Sequence, residues 1–327
     1  MNLHTQPDNF IEFITRTAEA TKIYPLFIEK DYWLTTVLLE LSQSPHRDIT
    51  VFKGGTSLSK AYGIIERFSE DVDLALIAQP ELNNNKIKNQ ITAISKSISH
   101  HLSEIEVKGI TSKGSRFRRT AHSYPLQTEQ LAIPHQVSPE LILEINAFAN
   151  PYPCEIVEIE SLIATYLKQS GREDLIQNFD LGSFKIQVLR PERTLAEKVL
   201  ALARASYDPE PVLQLQNKIR HAYDLYQLLQ HEDLQTFVSG EEFLKTLQQV
   251  QADDAKNSEF QGEWASKPLS EALIYRENSP VWVELEPTYQ GAFKNLVYGS
   301  LPNFKDVQQC IQKLGLRLKD YDLKNRG

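Results

Sequence analysis

Two aspartates in the segment DVDLALI have the spacing of a metal site. Alternation of polar and apolar residues predicts a β-strand here, and residues two apart in a strand point to the same face. Asp71 and Asp73 then project together, while Val72 and Leu74 face the core. Adjacent carboxylates repel each other unless they share a proton or bind a divalent cation, and oxygen ligands favour Mg²⁺ or Mn²⁺. The pair therefore predicts a magnesium or manganese site.

A glycine pair lies ahead of this strand, in the segment GGTSLSK. Two glycines after a short β-branched run predict a tight turn from a strand into a helix. The exposed amides of such a turn suit a nucleoside triphosphate. A hydroxyl or ammonium in the first helical turns can also reach a phosphate, and the hydroxyl of Thr56 or Ser57 can instead cap the helix. Lys53, just before the glycines, can lie on the opposite face of its strand. The candidate nucleotide-binding residues are Gly54, Gly55, Thr56, Ser57 and Lys60.

Glu144 in the segment LILEINA is a candidate third carboxylate for this metal site. The apolar run around it predicts a central strand, where a carboxylate must be paired, hydrogen-bonded or bound to metal. The alternative is that Glu144 points to solvent at the edge of an amphipathic strand. Glu140 and Glu129 are other candidates for the third ligand.

The order of these motifs carries a resemblance. A Gly-rich turn followed by an Asp-x-Asp strand resembles the DNA polymerase β-like nucleotidyltransferase superfamily. FKGGTSLSKAYGIIERFSEDVDL, with EKDYW before it and RTLAEKVLAL and RHAYDLYQLL after it, resembles the AbiEii/AbiGii toxin family across residues 25 to 230. Fifteen residues separate Gly55 from Asp71, which is longer than the simplest polymerase β-like motif.

The resemblance also extends to the helical half of the chain. It implies that Lys198, in RTLAEKVLAL, contacts the phosphates of the nucleotide. Asp224, in RHAYDLYQLL, matches the family's other polar helix position, and among apolar neighbours it needs a partner such as Lys198 or Arg220. We expect Asp224 to organise the site, with a helix-surface salt bridge as the alternative. Arg193 and Glu197 are four residues apart and predict an ordinary intrahelical pair.

The resemblance implies a reaction and its participants. The expected reaction is nucleotidyl transfer from a nucleoside triphosphate with two magnesium ions, catalysed through Asp71, Asp73, Lys198 and Asp224. The implied acceptor is RNA, specifically the 3′ end of a tRNA. The implied protein partner is a cognate antitoxin of a type IV toxin–antitoxin or phage-defence system. The basic segment 108–119 (KGITSKGSRFRR) is the expected contact for the RNA backbone.

Other functions remain open at this point. The same site chemistry also serves nucleotidylation or phosphorylation of a protein, and a non-catalytic interaction module can keep the fold. A P-loop NTPase is excluded because GGTSLSK lacks the G-x-x-x-x-G-K-[ST] spacing. The histidines lie in no nucleophile-elbow context, which argues against a Ser-His-Asp hydrolase.

The elements that must position these residues form an α+β fold. We expect a polymerase β-like nucleotidyltransferase mixed sheet with flanking helices over residues 1–190, followed by a mainly helical domain over 191–327 that completes the nucleotide site. Strands are predicted at 49–52, 71–77, 105–110, 116–126, 140–147 and 184–189, with helices at 8–22, 29–43 and 84–102. The polar segment 251–285 predicts a long irregular connection.

Amino-acid composition indicates which broad class of protein this is. The chain has 327 residues, a net charge of -8 and a hydrophobic fraction of 41%, which is typical of a globular protein and unlike one that coats nucleic acid. It has no run of about eighteen apolar residues that would span a membrane, and its start lacks the pattern of a signal peptide. Cys154 and Cys310 are far apart and without a ligand pattern. These features predict a cytoplasmic protein without a disulfide framework.

Overall fold

The computed structural model describes residues 1–69, 71–77, 79, 81–128, 139–148, 150–257 and 260–325. Its backbone divides into two compact units. The first comprises residues 1–63 and 68–189, and the second comprises residues 64–67 and 190–327.

One mixed sheet organises the first unit. Within the described residues it has eight strands, in the order β3-β5-β6-β2-β1-β8-β7, with β4 paired to β5. The strands are β1 (Thr50–Lys53), β2 (Asp71–Leu76), β3 (Ser103–Ile105), β4 (Ser112–Lys113), β5 (Phe117–Ser123), β6 (Leu141–Asn146), β7 (Cys154–Ile159) and β8 (Phe184–Leu189). The pairs β2–β6 and β1–β8 are parallel, and the others are antiparallel. The predicted mixed sheet with flanking helices is confirmed.

Helices of the first unit surround this sheet. They are α1 (Pro7–Thr21), α2 (Pro25–Gln43), α3 (Gly54–Lys60), α4 (Asn84–Ile98), α5 (Leu162–Gln169) and α6 (Glu173–Asn178). Helices α2 and α4 pack against the sheet, and α2 is buried along most of its length. Even the charged residues of EKDYW are buried: the Glu29 carboxylate accepts the backbone amides of Gln127 and Thr128 at 2.7 and 2.9 Å. This motif therefore fixes the scaffold.

Several predicted bounds differ from the observed ones. The strand predicted at 105–110 is displaced to β3, and the helix predicted at 84–102 ends at Ile98. Strand β7 and helices α5 and α6 were not predicted. Strand β7 lies at the edge of the sheet, and Ile156 is 69% exposed, so the burial alternation that marks a half-buried strand is weak there.

The second unit is helical, as predicted. Its helices are α7 (Pro191–Ser206), α8 (Pro211–Asn217), α9 (Ile219–Leu228), α10 (Glu232–Ser239), α11 (Glu241–Asp254), α12 (Val281–Gln290) and α13 (Phe304–Asn325). The irregular connection predicted at 251–285 is shorter than expected, because α11 continues to Asp254 and short 3₁₀ turns form at Glu263–Ser266 and Leu269–Glu271. Among the described residues, no helix is long and apolar enough to cross a membrane.

The segment Ile64–Arg67 belongs to this helical unit although it lies between two elements of the first. The Glu66 amide donates to the Tyr223 hydroxyl of α9 at 3.2 Å, and the Glu66 carbonyl accepts the amide of Tyr298 at 3.0 Å. Arg67 forms an isolated antiparallel bridge with Val297. These bonds hold the segment Ile64–Arg67 within the helical unit.

Candidate active site

A row of four charged residues crosses the centre of the sheet. Lys53 on β1 is the register partner of Asp73 on β2, Asp73 is the partner of Glu144 on β6, and Glu144 is the partner of Arg119 on β5. Directly paired residues point to the same face of a sheet, and so does Asp71, two residues before Asp73. The structure therefore brings Asp71, Asp73 and Glu144 to one face, with a cation at each end of the row.

Strand register decides the position of Glu144. Strand β6 lies between β2 and β5, so Glu144 is central in the sheet and not at an edge. Its side chain is 24% exposed and that of Asp71 is 14% exposed, which leaves both carboxylates accessible on the shared face. Of the other acids considered, Glu140 precedes β6 and Glu129 lies outside the described residues.

Arg119 lies between two of these carboxylates. A terminal nitrogen of its guanidinium is 3.7 Å from an oxygen of Asp71, and its Nε is 3.9 Å from an oxygen of Glu144. Both distances exceed a hydrogen bond, and the Arg119 Nε has no hydrogen-bond partner among the described residues. The guanidinium thus reduces the repulsion between the acids without being tightly held by either. The sequence included Arg119 in a basic segment but gave no sign of this placement.

Gly54 leaves the space that the Asp73 carboxylate occupies. A Cβ atom on Gly54 would lie 2.2 Å from Asp73 Oδ2, far inside van der Waals contact, and the φ of Gly54 is +82°. A larger residue would therefore be strained and would displace the carboxylate. Lys53, which the sequence also allowed on the opposite face, is the register partner of Asp73 on the same face.

The predicted capping by Thr56 or Ser57 is wrong. Helix α3 begins at Gly54 with Lys53 as its N-cap, so both hydroxyls lie within the first turn and no side chain caps it. From that position Ser57 donates back to the Gly54 carbonyl at 2.9 Å. Thr56 donates to the Asp71 carbonyl at 2.6 Å, which holds the start of β2 against α3. Gly55 is buried beside them.

Lys60 has protein partners where a phosphate contact was expected. Its ammonium lies 2.6 Å from the Asp31 carboxylate and donates to the Glu160 carbonyl at 2.9 Å, with only 6% of the side chain exposed. Asp31 also accepts the amide of Leu162 at the start of α5. The pair joins α2, α3 and α5, so Lys60 stabilises the scaffold. Asp31 is 29 residues away in the chain, and no local pattern indicates the pairing.

A second cluster is buried in the helical unit. Asp224 on α9 accepts two hydrogen bonds from Arg67, at 2.6 and 2.7 Å, and its carboxylate lies 2.6 Å from the Lys198 ammonium of α7. The side chains of Arg67, Lys198 and Asp224 are 2%, 5% and 0% exposed. His221 Nδ1 lies 3.3 Å from the Lys198 ammonium. The expected partnership of Asp224 with Lys198 is confirmed, and the alternative of a surface salt bridge is wrong.

Burial and charge set the protonation states in this cluster. Burial alone would raise the pKa of Asp224, but its attraction to Arg67 and Lys198 outweighs that effect and lowers the pKa to about 2. Burial lowers the pKa of Lys198, although the Asp224 carboxylate opposes this. Burial and the neighbouring Lys198 hold the pKa of His221 well below its usual range. The neutral imidazole can therefore accept a hydrogen bond from the Lys198 ammonium through Nδ1.

Neither Arg67 nor His221 was expected in this cluster from the sequence. Two cations and one carboxylate give Arg67, Lys198 and Asp224 a combined formal charge of +1, which favours an anionic ligand such as phosphate. A signal was present, because an aspartate on an apolar helix face needs a cation and IIERFS places an arginine beside the apolar residues Ile65 and Phe68. The expected Arg193–Glu197 pair forms at 3.5 Å, yet Arg193 lies closer to Asp253, at 2.7 Å.

Much of the basic segment 108–119 is engaged within the first unit. Lys113 and Arg118 both pair with Glu104 at 2.8 Å, and Arg116 donates to Asn84 at 2.9 Å. Lys108 is exposed. The segment is therefore less available to an RNA backbone than its charge alone indicated.

Comparisons with known proteins agree with this architecture. The family model described as nucleotidyl transferase AbiEii toxin of the type IV toxin–antitoxin system matches residues 36–313. The fold is similar to MenT4, a nucleotidyltransferase toxin from Mycobacterium tuberculosis H37Rv, with a TM-score of 0.57 and 16% sequence identity over 96% of this chain and 91% of that one. No curated protein matches the chain in sequence. The protein belongs to the AbiEii family of nucleotidyltransferase toxins of type IV toxin–antitoxin systems.

Proposed function

We propose that this protein transfers a nucleoside monophosphate from a nucleoside triphosphate to an acceptor hydroxyl, and that the acceptor is the 3′ end of a tRNA. The observation that carries the proposal is a set of three carboxylates on one face of the neighbouring strands β2 and β6: Asp71, Asp73 and Glu144. The tRNA acceptor rests on the family resemblance.

The donor set fits a hard divalent cation. Asp71, Asp73 and Glu144 offer only oxygen, which Mg²⁺ and Mn²⁺ prefer, and Gly54 leaves the room that the Asp73 carboxylate needs. When bound there, such ions would make the attacking hydroxyl more acidic and neutralise charge on the leaving pyrophosphate.

The proposed reaction exchanges one bond at the α-phosphorus, and side chains of this protein are proposed to hold the phosphates. The acceptor oxygen forms a bond to the α-phosphorus while the bond to the bridging oxygen of the β-phosphate breaks, so pyrophosphate leaves and the hydroxyl proton passes to water. Lys198 is proposed to contact the phosphates, and Asp224 and Arg67 fix its position through their buried ion pairs. Arg119 is proposed to turn from the carboxylates to a phosphate oxygen when the nucleotide binds.

The partners follow from the family. A type IV system implies a cognate antitoxin, and we propose that the exposed part of segment 108–119, including Lys108, contacts the acceptor backbone.

Label transfer tests this proposal. Each of the four ribonucleoside triphosphates, carrying ³²P at the α- or the γ-position, is incubated with magnesium, total tRNA or total protein, and either the wild type or Asp71→Ala. We expect α-label on tRNA from the wild type and none from the variant. α-Label on protein would establish protein nucleotidylation instead, and γ-label on protein would establish phosphorylation. Absence of label on both acceptors would contradict the proposal and favour an interaction module.

A further inference from the structure

Three potential metal ligands meet away from the carboxylates of the sheet. Glu40 lies in the last turns of α2, and His100 and His101 follow the end of α4. The possible ligand atoms of the three side chains all lie within 4.8 Å of one another. All three side chains are accessible, at 26%, 50% and 42% exposure. An ion can therefore reach them from solvent.

The distances suit tetrahedral coordination. His101 Nε2 lies 3.0 Å from one oxygen of Glu40. Two ligands that each lie about 2.0 to 2.1 Å from a tetrahedral zinc ion are about 3.3 Å apart. The pair of His101 and Glu40 is already close to that separation, and a ring nitrogen of His100 lies within 4.8 Å of both ligand atoms.

Hydrogen bonding leaves His100 with a suitable lone pair. Its Nδ1 lies 2.9 Å from the carbonyl oxygen of Ser97, which can only accept, so Nδ1 carries the proton. In the neutral ring Nε2 is then free to bind a metal. Donation of the second ring nitrogen to a backbone carbonyl is the usual way in which a metal-binding histidine is oriented.

We propose that Glu40, His100 and His101 form a binding site for a transition-metal ion, with Zn²⁺ as the best match. Two imidazoles and one carboxylate favour Zn²⁺ over Mg²⁺, whereas the sheet carboxylates offer oxygen alone. Water completes the fourth position. The bound ion joins the C-terminal end of α2 to the turn after α4, so it stabilises the first unit and has no part in nucleotidyl transfer.

Zinc binding to the full-length protein tests this site. Chelator-treated protein is titrated calorimetrically with Zn²⁺ in excess Mg²⁺, which occupies hard oxygen sites. The variants are Glu40→Gln, His100→Ala and His101→Ala, with His231→Ala as the matched control because His231 is exposed in the helical unit. We expect one zinc ion per chain in the wild type and the control, with affinity reduced at least tenfold in each site variant.

Thermal unfolding supplies a second readout that does not depend on activity. Without zinc, the site variants should unfold at the wild-type temperature, because the substituted side chains are accessible. Zinc should raise the unfolding temperature of the wild type and of His231→Ala and leave that of His101→Ala unchanged. Equal zinc affinity in the wild type and all three site variants would overturn the proposal, as would a wild type that shows no saturable binding.

Discussion

Asp73 and Glu144 are register partners on the adjacent parallel strands β2 and β6. Lys53 and Arg119 are the next partners on either side, so the row reads cation, acid, acid, cation. Backbone pairing keeps the two acidic residues side by side on one face of the sheet. Their repulsion is therefore built into the fold, and a divalent cation bound between them would relieve it.

The contact between Gly54 and Asp73 predicts the effect of a single methyl group. Gly54→Ala should reduce the transfer rate at least tenfold, because the added Cβ would lie 2.2 Å from Asp73 Oδ2. Gly63→Ala is the matched control, since Gly63 has φ +61° and no atom within 4 Å of the added Cβ. Both variants carry the backbone strain of about 1–2 kcal/mol, and only the first should lose activity. Equal activity in the two would refute a role for this close approach.

The buried cluster predicts an asymmetry between two of its members. Lys198→Met keeps the Arg67–Asp224 pair, so the free energy of unfolding should change by less than about 1.5 kcal/mol. Asp224→Asn leaves two buried cations without a carboxylate and should cost about 3–5 kcal/mol. Urea denaturation of both variants measures the difference. A Lys198→Met protein as unstable as Asp224→Asn would show that the lysine is needed mainly for folding.

Activity separates the roles of the same two residues. If Lys198 contacts the phosphates, the stable Lys198→Met variant should lose roughly ten- to a hundredfold in kcat/KM, the equivalent of one charge-assisted hydrogen bond. The assay is label transfer at limiting nucleotide. Wild-type kcat/KM in this variant would remove Lys198 from the nucleotide site.

Because of Asp224, the free energy of unfolding should depend on pH. Its pKa is lowered to about 2 in the folded protein, from 3.8 ordinarily, so the unfolded chain binds the proton first as the pH falls. The stabilisation is complete above about pH 4 and is lost as the pH falls towards about 2. The difference in free energy of unfolding between the wild type and Asp224→Asn should therefore shrink by about 2 kcal/mol over this window. A constant difference between the two proteins would contradict the lowered pKa.

Arg119 should act on nucleotide binding. Its guanidinium is held loosely, at 3.7 and 3.9 Å from the two acids, and is 34% exposed. Arg119→Met should raise the KM for the nucleoside triphosphate roughly ten- to a hundredfold and change kcat less. Lys113→Met is the control, because its exposed pair with Glu104 lies elsewhere on the sheet. An unchanged KM in Arg119→Met would mean that the arginine only balances the acids.

Local pattern was enough to predict the strands that carry the acids. Alternation in DVDLALI and the apolar run in LILEINA identified β2 and β6 because each strand buries at least one face. The same reasoning missed β7, whose exposed Ile156 and neighbouring glutamates break the alternation. Edge strands are shaped by their neighbours as much as by their own sequence.

Pairing between distant residues was beyond the sequence. Arg67 and Asp224 are 157 positions apart, and the packing of three helices brings Lys60 into contact with Asp31. A single sequence shows that Asp224 needs a partner but not which cation supplies it. The same limit explains why Lys60 was expected at a phosphate and Arg119 was not expected between the acids. The position of Arg119 is fixed only by the strand register, which depends on the whole sheet.

Transfer of α-label by Asp73→Asn tests the carboxylate site most directly, because this change keeps the size of the side chain and removes its charge. Glu140→Gln is the control, since Glu140 precedes β6, which begins at Leu141. With magnesium saturating for the wild type, we predict that Asp73→Asn loses at least a thousandfold in rate while it unfolds at the wild-type temperature, and that Glu140→Gln retains its rate. A folded Asp73→Asn protein that transfers label within tenfold of the wild-type rate would contradict the proposed metal site.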